Sequence, residues 1–157
     1  MASRERIAAA IVALLVVCSV PLRARAAGRD QPLDQATFGF YDWENDNGFP
    51  YRWTSRRATF FVPASARELH LPVRSMMILG HQDPVRFSVA VNGRVLDTFA
   101  ITQGNWETVH LRLPRTSDAG AFTRIDVMTA PAWTPAETGA NHDVRVLGVQ
   151  VGRPEVQ

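Results

Sequence analysis

The sequence predicts an all-β fold: an antiparallel two-sheet β-sandwich of jelly-roll type, preceded by a signal-peptide helix. Three observations predict it. Short runs rich in β-branched and aromatic residues recur over residues 36–153, each bounded by Gly, Pro, Asn or Asp. Several of these runs alternate apolar and polar residues, the pattern of strands buried on one face. No segment beyond the first 26 residues sustains a helical period over about ten residues.

The N-terminus comes first. Arg4 and Arg6 precede the apolar run Ile7–Val20, which leads to Ala24-Arg25-Ala26. A basic start, an apolar stretch and a small-x-small site make a secretory signal with cleavage after Ala26. The apolar run falls short of the ~20 residues that span a bilayer, so a retained anchor is the lesser alternative. Val17 stands before Cys18, where a lipoprotein signal would carry a small residue. The expected location is therefore periplasmic or secreted, with no membrane span after cleavage.

Processing changes the charge balance. Of 17 basic residues, all Arg, four (Arg4, Arg6, Arg23 and Arg25) leave with the signal together with Glu5, so 13 face 14 acidic residues. A nearly neutral chain gives no case for nucleic acid as a partner. Cys18, the single cysteine, leaves too, so core packing rather than a disulfide must hold the domain.

Residues 27–35 read as a polar linker. Strands are expected at Phe38–Tyr41, Tyr51–Thr54, Arg57–Val62, Glu68–Val73, Val85–Val91, Arg94–Ala100, Trp106–Leu113, Arg124–Met128 and Val144–Val151. In Glu68–Val73, Leu69, Leu71 and Val73 face inward, while His70 and Pro72 face outward. Asn92-Gly93 marks a hairpin, since both residues tolerate the positive φ of a type I′ turn. Val144–Val151 changes parity at Gly148, which predicts a β-bulge near Leu147-Gly148.

The segment Phe40–Thr54 concentrates the chemistry: six aromatics, three carboxylates, Arg52 and a Gly-Phe-Pro turn in fifteen residues. Asp42, Glu44 and Asp46 before Gly48 imitate an oxygen-donor loop for a structural calcium ion. Asn47 and Trp53 occupy positions that an EF-hand would give to Gly and Glu, which excludes that motif. The alternative is a solvated acidic turn, and no other cofactor is implied. A bidentate Glu44–Arg52 pair, with Arg52 packed on Trp43 or Trp53, would make the block a structural clasp. Left exposed, Trp43, Phe49 or Tyr51 would instead offer a stacking surface to a sugar ring.

A second candidate lies on Trp106–Leu113. With Val109, Leu111 and Leu113 inward, Trp106, Thr108, His110 and Arg112 line the outer face as a shallow polar groove. His70, His81, His110 and His142 show no metal-ligand spacing, although His81-Gln82-Asp83 and His142-Asp143 place imidazoles near carboxylates. G-x-S-x-G is absent and no cysteine nucleophile survives processing.

Glu44 followed by Arg52-Trp53-Thr54, then Gly104-x-Trp106 and a strand ending at Pro114, then Asp143-x-Arg145-x-Leu147-Gly148-Val149, form an ordered pattern. It resembles the β-sandwich accessory modules attached to bacterial membrane glycosyltransferases and surface-polysaccharide enzymes. That resemblance spans Phe38 to Val151 and implies a non-catalytic, carbohydrate-associated module. It carries over no binding residue, and this chain shows neither a polytopic membrane region nor a catalytic domain.

Three functions are weighed. The first is an exported carbohydrate-binding module or accessory to a cell-envelope glycan system. Its first-choice site is Trp43, Glu44, Arg52 and Trp53, with Trp106 and His110 second. The alternative is a structural or interaction module that docks on an envelope protein. The third is a small glycan-active enzyme.

Overall fold

The computed structural model describes residues 37–76, 84–115, 121–139 and 141–157. The expected signal and linker, and the His81-Gln82-Asp83 turn, lie outside the described residues. Among the described residues nine strands form: Phe38–Asp46 (β1), Phe49–Pro63 (β2), Glu68–Arg74 (β3), Val85–Val91 (β4), Arg94–Ile101 (β5), Glu107–Arg112 (β6), Phe122–Ala130 (β7), Gln150–Gly152 (β8) and Glu155–Val156 (β9). A 3-10 turn, Pro135–Thr138, lies between β7 and β8. Among the described residues no helix is long and apolar enough to cross a membrane.

The long strand β2 organises the sandwich. Its Tyr51–Trp53 half pairs with β8, and its Arg57–Pro63 half pairs with β7. From β8 the hydrogen bonds continue to β3 and β6, and from β7 to β4 and β5. These are two layers with β2 common to both. Leu69, Leu71 and Val73 of β3, Val109 and Leu111 of β6, Phe87 and Val89 of β4, and Ile125 and Val127 of β7 all belong to one buried cluster. Strands that share no ladder but share a core must face one another across it, which is the sandwich the alternation predicts.

Several expectations are refined. Tyr51–Thr54 and Arg57–Val62 are one continuous strand. The turn before it is Asn47-Gly48, not Gly-Phe-Pro: Asn47 has φ 51° and Gly48 φ 89°, and Asp46 pairs with Phe49 across them. This is a two-residue hairpin of the same kind as Asn92-Gly93, where φ is 49° and 84°. Val144–Val151 is not one bulged strand. Leu147 bridges Trp133, Gly148 N donates to Thr54 O at 2.7 Å, and only Gln150–Gly152 joins the sheet. Beyond residue 153, Leu69 and His70 of β3 pair with β9.

Gly148 is required where the two layers diverge. A Cβ there would stand 2.5 Å from Thr54 Oγ1, 2.6 Å from Ser55 O and 2.9 Å from Thr129 Oγ1. Those atoms come from β2 and β7, so the chain leading into β8 threads against both strands with no room for a side chain.

Candidate functional site

The β1–β2 register sorts the Phe40–Thr54 block onto two faces. Trp43 stands opposite Arg52, and Glu44 opposite Tyr51. Directly opposed residues share a face and successive residues alternate. Trp43 and Arg52 therefore lie on one side of the hairpin, Glu44 and Tyr51 on the other. The expected Glu44–Arg52 pair is corrected by this geometry.

On the Glu44 side, Glu44 accepts from Tyr51 Oη at 2.9 Å and pairs with Arg145 at 3.3 Å. Arg145 is held by Asp143 at 2.8 Å and stacks on Tyr41, 5.0 Å from the ring centre. Hydrogen bonds from Arg145 hold the Asp143 carboxyl below its usual range. Burial, then the bond to Glu44, pushes the Tyr51 phenol up to about 12. Further along, Arg74 lies over Trp106 at 4.6 Å, pairs with Asp46 at 2.9 Å and donates to Gln150 Oε1 at 2.7 Å. Phe49 packs on Trp106 with ring centres 4.6 Å apart. Trp53 is only 8% exposed and meets Trp133 edge-on. Cations, rings and carboxylates alternate here with their capacity used internally. This is a clasp, built on Arg145 and Arg74 rather than on Arg52.

Asp42, Glu44 and Asp46 lie along strand β1 rather than around a loop. Glu44 and Asp46 are each committed to an arginine, and among the described residues no three His, Cys, Asp or Glu side chains converge on one point.

On the opposite side Trp43 is 43% exposed. The guanidinium carbons of Arg52 and Arg153 each lie 5.5 Å from the centre of its ring system. Arg52 is fixed in place: Nε donates to Tyr41 O at 2.6 Å, Nη1 to Thr37 Oγ1 at 3.1 Å, and the group stacks on Phe40 at 5.2 Å. Trp43 is thus a surface indole with positioned donors beside it.

The β6 parity holds as expected, with Val109, Leu111 and Leu113 buried and Thr108, His110 and Arg112 exposed. Trp106 is half-buried under Arg74 and belongs to the clasp rather than to the His110 groove. His110 instead faces His70, with ring centres 4.5 Å apart. Of the residues chosen from sequence, the fold brings together Trp43 with Arg52, and Glu44 with the Trp53 side. Arg74, Arg145 and Arg153 join these groups only through long-range register, as His70 joins His110. Asp143-x-Arg145 was the one local signal for any of them.

No family model and no curated protein matches the chain. Among solved structures it is similar to a family 35 carbohydrate binding module from an environmental isolate, at 14% identity and TM-score 0.43, over 74% of this chain and 86% of that one. It is also similar to the C-terminal CBM6 of LamC, a marine laminarinase from Zobellia galactanivorans, at 14% identity and TM-score 0.38, over 74% and 90%. A third is a Podospora anserina GH26-CBM35 β-(1,4)-mannanase, at 17% identity and TM-score 0.36, over 77% of this chain and 26% of that one.

Proposed function

We propose that this protein is an exported, non-catalytic β-sandwich module that binds carbohydrate through the Trp43 face and serves a cell-envelope glycan system. What carries the proposal is the exposed indole of Trp43 between the guanidinium groups of Arg52 and Arg153. A flat apolar ring accepts the C–H face of a pyranose, and adjacent N–H donors serve its hydroxyls. The fixed posture of Arg52 lowers the ordering cost of that contact. The non-catalytic part rests on the sequence, which offers neither a G-x-S-x-G motif nor a cysteine beyond Cys18.

A glycan array probed with wild type, Trp43→Ala and Arg153→Ala tests the proposal. Selective binding by wild type, lost by at least about tenfold in a still-folded Trp43→Ala, is expected. Absence of any glycan binding by wild type, or binding unchanged in Trp43→Ala, overturns it. The second reading, an interaction module, draws on β5. Among the described residues that strand pairs only with β4, and it carries Val95 at 56% and Leu96 at 39% exposure.

A further inference from the structure

We propose that His70 and His110, with Glu68 beside them, form a binding site for a divalent transition-metal ion of the zinc, nickel or copper class. The β3–β6 register sets His70 directly opposite His110. Both point away from the core, because Leu69, Leu71, Val109 and Leu111 take the inner face. The two rings already lie 4.5 Å apart between centres, at 65°. A metal at about 2.0–2.1 Å from one nitrogen of each imidazole needs both rings to turn from this edge-to-face contact toward a common point. Imidazole pairs suit zinc, copper and nickel, whereas magnesium and calcium demand oxygen donors.

The surroundings complete the case. Glu68 Oε2 lies 3.8 Å from His70 Nε2, two residues away on the same face of β3. Glu155 of β9 stands in register with His70 on the other edge of that strand, a second carboxylate on the rung. An open recess of about 200 Å³ lined by Glu68, His70, His110, Leu111 and Arg112 leaves space for water ligands. Among the described residues no three donors converge, so binding turns the two imidazoles and draws the Glu68 carboxylate toward them. Arg112, opposite Glu68, is the opposing charge and sets a ceiling on affinity. The site is on a different strand pair from Trp43, and it stands whether or not that residue binds sugar.

Titration calorimetry of the untagged full chain with zinc chloride and nickel chloride near pH ~7.5 tests the proposal. The expected result is saturable binding of one ion, no response to magnesium, and at least about tenfold weaker binding in both His70→Gln and His110→Gln. The contrast between zinc and magnesium is read on the unaltered protein, so the proposal is testable even if a variant misfolds. No binding at millimolar zinc, an equal response to magnesium, or affinity unchanged in both folded variants overturns it.

Discussion

Glu44 and Arg145 are 101 residues apart in sequence and form an ion pair at 3.3 Å, while Arg52, eight positions from Glu44, points to the opposite face of the same hairpin. The contact closes the β1–β2 hairpin against the segment that leads into β8. Tyr41 and Tyr51 flank it, one under the guanidinium and one donating to the carboxylate.

A double-mutant cycle separates the two arginines. Both partners of the Glu44–Arg145 pair are about a third exposed, so a coupling of about 0.5–1 kcal/mol is expected between Glu44→Gln and Arg145→Ala. Glu44→Gln and Arg52→Ala should add within about 0.5 kcal/mol. Chemical denaturation measures both, and a larger coupling to Arg52 contradicts the register.

Trp53 and Trp43 should differ sharply in what they contribute. Trp53→Ala empties a buried site and should cost about 3–5 kcal/mol. Trp43→Ala removes a surface ring and should cost less than about 1.5 kcal/mol. Melting curves of the two variants check the contrast, and similar losses would place Trp43 in the core.

Gly148→Ala should be among the most damaging single-methyl changes in the chain. The added carbon meets Thr54 and Ser55 at 2.5 and 2.6 Å, an overpacking that costs about 1–3 kcal/mol or more. Unchanged stability by urea titration would mean that β2 and β7 yield there.

Alkaline stability should depend on Tyr51. Its folded pKa, about 12, stands above the unfolded value of about 10. A raised folded pKa contributes stability that is complete below pH ~10 and is lost as pH rises through ~12. Tyr51→Phe should remove that part of the alkaline decline, read as the difference in unfolding free energy between about pH 9 and pH 12.

At the acid end the sign reverses. The Asp143 pKa is depressed by Arg145, so its contribution is present above the unfolded carboxylate pKa and lost as pH falls through the folded one. Asp143→Asn should flatten that part of the acid limb, and an identical acid profile in the variant would contradict the pairing.

Local pattern determined the strands and the side each residue faces. The alternation of Val85–Val91 and Glu68–Val73, and the parity of Trp106–Leu113, are local consequences of a period of two against one buried face. Asn47-Gly48 was equally legible as a type I′ turn and would have set the Glu44–Tyr51 register in advance. Val144–Val151 could not be read this way, because its path is fixed by Trp133, Thr54 and Gly148 rather than by a ladder of its own.

What the sequence by itself determined is an antiparallel β-sandwich with an aromatic and charged block at its start and His70 and His110 on outward-facing positions. Only the tertiary structure decided the partners: Arg145 rather than Arg52 for Glu44, Arg74 over Trp106, Arg153 beside Trp43, and His110 across from His70. The physical reason is that parity is a property of one strand, whereas register belongs to two. Which side chains meet across a sheet follows from how distant strands align, and no local run of residues encodes that alignment.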